Sequence, residues 1–163
     1  MIPVVVIQTG DRDWEGYSAI DLERVITTAA SVATYADEQQ YSLGLFSNGA
    51  PILSDRPFKI APSRSPEQLT IVLEALATMQ PMAMSQIAPQ LTENSRRFPV
   101  GATLVVVTAY MPPALIEVIG TLKRYGYSIV VLYEGDGFCP ALPEGVMVNN
   151  LQDHFERMDQ ASE

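Results

Sequence analysis

A chain of 163 residues with 47% hydrophobic and 18% charged content is long enough to bury a real core and too apolar for disorder, so a single domain over residues 1–163 is expected. Its net charge of −9 repels phosphate backbones within a Debye length, which argues against nucleic acid as a partner. The single cysteine has no internal disulfide partner and no basic, apolar leader opens the chain. A reducing, cytoplasmic setting is therefore expected, and apolar runs of strand length predict no direct membrane insertion, which needs roughly 20 residues.

Pro3 to Ile7 is a continuous β-branched run, the mark of a strand buried on both faces. After the polar loop Gln8 to Gly16, Ser18 and Asp21 make a plausible helix start, and Leu22, Val25, Ile26, Ala29, Ala33 and Ala36 recur at helical spacing. Tyr41 to Phe46 reads as a second strand, closed by the turn Ser47-Asn48-Gly49. Ile52 to Ile60, interrupted by Asp55, Arg56 and Pro57, suits an irregular edge strand, because proline is tolerated only at edges and bulges.

Ser65-Pro66-Glu67-Gln68 has the form of a helix start: a serine cap, proline at the first helical position and a glutamine able to close a capping box. Leu69, Val72, Leu73 and Leu76 follow on one face. Ser85 to Arg97 predicts another helix, with Pro89 near its first turn and Ile87 and Leu91 inward. Ala102 to Thr108 is a buried strand, Pro112 to Tyr125 a helix, and Gly126 sits where a glycine ends one. Tyr127 to Tyr133 and Val146 to Val148 complete the strands, and Leu151 to Met158 predicts a last helix. Strands alternating with helices imply an α/β doubly wound, mostly parallel, Rossmann-like sheet with helices on both faces and one irregular antiparallel edge strand.

In such sheets ligands sit at the carboxyl ends of the strands. No glycine-rich phosphate loop follows any strand, and no Gly-x-Ser-x-Gly elbow exists. His154 is the single histidine and lies far downstream, while Cys139 lacks the companions a zinc site needs. Asp11, Asp13 and Glu15 match no calcium loop and read as a solvated turn, as does Gly135-Asp136-Gly137.

The order of these segments, together with Trp14-Glu15-Gly16, Leu43-Gly44-Leu45, Arg64-Ser65-Pro66-Glu67-Gln68-Leu69 and Gly101 to Thr108, resembles a von Willebrand factor type A (vWA) domain. More narrowly, it is similar to the carboxyl-terminal part of the bacterial Domain of Unknown Function 58 family. A metal-binding vWA domain carries Asp-x-Ser-x-Ser after its first strand, whereas Gln8-Thr9-Gly10-Asp11-Arg12 stands here and Thr108-Ala109 replaces a hydroxyl followed by Asp. The resemblance thus implies a degenerate metal-ion-dependent adhesion site, with no metal and no cofactor. It also implies a membrane-anchored parent protein and a protein partner, a MoxR-type AAA+ ATPase among them.

The function expected from these readings is non-catalytic protein-protein interaction, with Arg12, Trp14, Asn48, Thr108 and Tyr110 at the docking rim. The alternative is a small-molecule or nucleotide-binding, hydrolase-like enzyme using Asp11, Thr108 and Glu134 at the strand ends.

Overall fold

The computed structural model describes residues 1–10, 19–49, 59–80, 86–135 and 139–150. Among the described residues six strands form one sheet: β1 (Pro3–Ile7), β2 (Leu43–Ser47), β3 (Lys59–Ser63), β4 (Thr103–Thr108), β5 (Ser128–Tyr133) and β6 (Met147–Asn150). Among the described residues there are four helices: α1 (Ala19–Glu38), α2 (Gln68–Ala77), α3 (Ile87–Asn94) and α4 (Pro113–Arg124). The strand order is β3-β2-β1-β4-β5-β6. All pairs are parallel except β2 with β3.

That order reverses direction at β1 and β4. The unit β1-α1-β2 steps one way along the sheet and β4-α4-β5 the other, so crossovers of one hand put α1 and α4 on opposite faces. The packing agrees. Val5, Ile7, Val105 and Val107 meet α1 and α2, whereas Val4, Val6, Leu104 and Val106 meet α3 and α4. Every residue of β1 is buried, as the unbroken apolar run predicts. Each such side chain taken from water contributes about 1.5–3 kcal/mol before chain entropy is set against it.

The two layers differ in grain. Under α1 the contacts are alanines, Ala29, Ala33 and Ala36, which let that helix lie close to the sheet. Under α4 they are Leu115, Ile119 and Leu122 against Tyr127 and Tyr133. Both helices end on a left-handed residue that turns the chain back. Gly126 (φ 100°) lets Tyr127 N–H reach Leu122 O at 3.3 Å, and Gln40 (φ 57°) lets Tyr41 N–H reach Ala36 O at 2.9 Å.

Two expectations need correction. The antiparallel edge strand is Lys59–Ser63, beginning where the expected strand ends, and its proline is Pro62; residues 51–58 lie outside the described ones. Its pairing shifts register between Leu43 and Leu45, a bulge that leaves ladder carbonyls to be satisfied otherwise.

The second correction concerns the start of α2. It begins at Gln68 with Glu67 as its cap, and no side-chain cap bond is made. The Ser65 hydroxyl instead donates to the Glu67 carboxylate. Gln68 closes no capping box, because its amide is buried and donates to Leu43 O at 2.7 Å and Ala61 O at 2.9 Å. One N–H goes to each strand, so Gln68 ties α2 to the irregular β2–β3 pairing. The expected helix from Leu151 lies outside the described residues.

Candidate functional site

The strands of the parallel core finish at one end of the sheet, and there the chain places a row of polar residues that are wholly buried. Gln8 and Thr9 follow β1, Ser47 ends β2 with Asn48 after it, Thr108 ends β4 and Glu134 follows β5; all six are 0% exposed. Buried polar groups persist only when hydrogen-bonded, and these bond largely among themselves.

Asn48 joins the ends of β1 and β2. Its Oδ1 accepts from Thr9 N–H at 2.9 Å and its Nδ2 donates to Gly10 O at 3.1 Å. Gly49 presses so closely on Thr9 that an added Cβ would overlap that side chain. Ser47 Oγ accepts from Gly49 N–H at 3.0 Å, which holds the turn. Across the switch point, Thr108 Oγ1 meets Gln8 Oε1. The same hydroxyl lies 2.7 Å from Tyr110 O and accepts from Tyr110 N–H at 3.1 Å.

Glu134 lies on the neighbouring strand end but serves another element. Its N–H donates to Thr108 O at 2.8 Å, while its carboxyl accepts from the Thr28 hydroxyl of α1. Its second oxygen, Oε2, has no hydrogen-bond partner among the described residues. Burial raises the Glu134 pKa above the ordinary carboxylate range, with the Thr28 hydrogen bond and the Arg24 charge opposing that rise. Thr108 and Glu134 are thus adjacent, but the functional group of each is directed to a different neighbour.

Of the expected docking residues, Arg12 and Trp14 lie outside the described residues, as do Asp11, Asp13, Glu15, Asp136 and His154. Asn48 and Thr108 are where the sequence puts them, at the rim, yet buried within it. Tyr110 is half-buried and borders a cavity of about 260 Å³ lined also by Gln86, Ile87, Ala88 and Pro112. Cys139 is half-buried against the α4 layer, and burial pushes its thiol pKa up, away from nucleophilic character. Among the described residues no three His, Cys, Asp or Glu side chains converge as a metal would need.

Sequence reasoning missed Thr28 and Gln68 altogether as interior polar anchors. Thr28 carried a signal, since it stands beside Ala29 on the inward side of α1 between Val25 and Ala33.

No family model matches this chain, and no curated protein matches it. Its architecture does match solved structures. BatB from Bacteroides thetaiotaomicron is similar over 99% of this chain and 98% of its own, with a TM-score of 0.59 at 12% identity. The VWA domain of SpRpn10 is similar over 91% of this chain and 87% of its own, with a TM-score of 0.56 at 9% identity. An aerotolerance-related membrane protein from Bacteroides fragilis is similar over 98% of both chains, with a TM-score of 0.56 at 12% identity. At these identities the likeness establishes the fold: the chain is vWA-like. Among the described residues no helix is long and apolar enough to cross a membrane.

Proposed function

We propose that this domain is a non-catalytic protein-interaction module of the cytoplasm that docks a protein partner across the rim at the strand ends. The observation that carries the reading is how that rim is filled. Its polar side chains are 0% exposed, and Asn48 is bonded to Thr9 and Thr108 to Gln8 across it, so they form a fixed floor. Tyr110 beside its cavity of about 260 Å³ supplies the kind of aromatic edge and recess on which interface anchors seat. The resemblance to the Domain of Unknown Function 58 family points to a MoxR-type AAA+ ATPase as the partner and to a membrane-anchored parent.

The metal that a vWA adhesion site uses does not suit these residues. A hard cation wants several free oxygen ligands, whereas Thr108 Oγ1 is committed to Gln8 and Tyr110 and Ala109 has no donor. We read the adhesion site as degenerate and derive no step through a metal. Arg12 takes the corresponding role by pairing with a partner carboxylate.

Affinity capture from the native host tests this, using the wild type beside Tyr110→Ala and Arg12→Ala. Loss of the same protein from both variants is expected, while equal recovery by all three would remove the rim as the docking site.

A further inference from the structure

On the α3 side of the sheet, β2, β3 and the end of α3 line an open cavity of about 300 Å³ that reaches Val4 of β1. This is at the small end of ligand pockets. Its walls are apolar, with Val4, Phe46, Ile60, Phe98 and Pro99 among them. Phe46 and Phe98 stand edge to face at 5.8 Å, and Phe98 rests in the same way on Tyr127 at 6.1 Å. The Tyr127 hydroxyl lies 3.0 Å from both Ser95 O and Phe98 O, so the aromatic wall is braced from behind.

Two cations border this apolar space, Lys59 and Arg97, and among the described residues no carboxylate lines it. Lys59 is held rather than loose. Its Nζ donates to Asn94 Oδ1 at 2.9 Å, and buried Asn94 is itself fixed by donating to Gln90 O at 2.7 Å. A neutral amide orients the ammonium without neutralising it. The ammonium keeps donors for an anion, and a charge-assisted bond there is stronger than one between neutral groups.

We propose that this cavity binds a small apolar monocarboxylate, its alkyl or aryl body against Phe46 and Phe98 and its carboxylate between Lys59 and Arg97. An apolar wall with cations at its mouth complements such a molecule at both ends. An extended peptide would meet Pro62 in β3, which lacks the N–H that an added strand requires.

Octanoate is the probe, titrated calorimetrically beside octanol and octylamine. Saturable octanoate binding is expected, about tenfold tighter than octanol and weakened about tenfold or more by the double variant Lys59→Gln/Arg97→Gln. Both side chains are exposed, so the variant should fold, and circular dichroism checks that it does. Chemical-shift changes at Phe46 and Phe98 on octanoate addition should mark the cavity itself. No saturable binding, octanol binding as tightly as octanoate, or full affinity in the folded double variant would each overturn the assignment. The rim reading stands or falls separately.

Discussion

The rim at the strand ends and the flank beside β3 use polar residues in opposite ways. At the rim, Gln8, Asn48 and Thr108 are closed away and bonded inside the fold. At the flank, Lys59 and Arg97 face solvent around apolar space. A sequence reader drawn to polar residues at strand ends finds the first region and assigns it contacts with a partner. The contrast teaches that the same residue types can brace a site instead of touching its ligand, and that burial separates the two roles.

The largest effect that can break this contrast comes from Asn48→Ala. It strands the Thr9 N–H and the Gly10 carbonyl, both in buried surroundings. Each unsatisfied buried group costs about 1–3 kcal/mol, so a loss of about 3 kcal/mol in the denaturant-unfolding free energy is expected. A drop below about 1 kcal/mol would mean the rim is wetter and more open than its burial implies.

Much of the fold was legible because its strands are continuous apolar runs and its helices keep a clear period. β1, α1, α4 and the stop at Gly126 follow from those signals. The left-handed stop at Gln40 did not, because nothing local marks a glutamine for that conformation and the structure around Tyr41 imposes it. The edge strand was displaced for a similar reason. Its register rests on the bulge at Leu43–Leu45 and on Gln68, a contact across 25 residues that no local pattern encodes. At the site, the sequence located the rim from topology but could not tell an exposed Asn48 from a buried one.

Gln68→Met sharpens the comparison by removing a buried polar anchor beside β3. The replacement keeps length and apolar bulk but removes both N–H donors from Leu43 O and Ala61 O. Carbonyls tolerate under-satisfaction better than N–H groups, so a loss of about 1–2 kcal/mol is expected, smaller than at Asn48. Amide hydrogen exchange should rise in β2 and β3 more than in β4. Uniform loosening of the whole sheet would argue against a local role in the bulge.

Glu134 should give a smaller effect, and one that depends on pH. Burial raises its pKa against the Thr28 and Arg24 contributions, so the folded chain holds the proton more firmly than the unfolded chain. This contribution favours folding in acid and is lost as pH climbs from the ordinary carboxylate value through the raised one. Glu134→Gln carries no charge at any pH. Relative to the wild type it should therefore gain stability as pH rises above the ordinary carboxylate value of about 4. Parallel stability curves above that value would show that the carboxyl ionises in the fold without penalty.

The smallest expected effect is at Ser65, and it separates local sequence from the structure most sharply. A serine before proline and an acid invites the reading of a helix cap, whose removal typically costs about 1 kcal/mol. Here the hydroxyl donates to the Glu67 carboxylate and to no helix N–H. The helix start is carried by backbone instead: Gln68 N–H reaches Ser65 O at 3.0 Å and Ile71 N–H reaches Glu67 O at 3.0 Å. Both bonds survive Ser65→Ala, so the unfolding midpoint should not move. What should move is the titration of Glu67, whose pKa is lowered first by the Ser65 hydrogen bond and would return toward the ordinary carboxylate range in the variant, as followed by carboxyl NMR. A lowered midpoint with an unchanged Glu67 titration would restore Ser65 as the cap and move the start of α2 back toward Pro66.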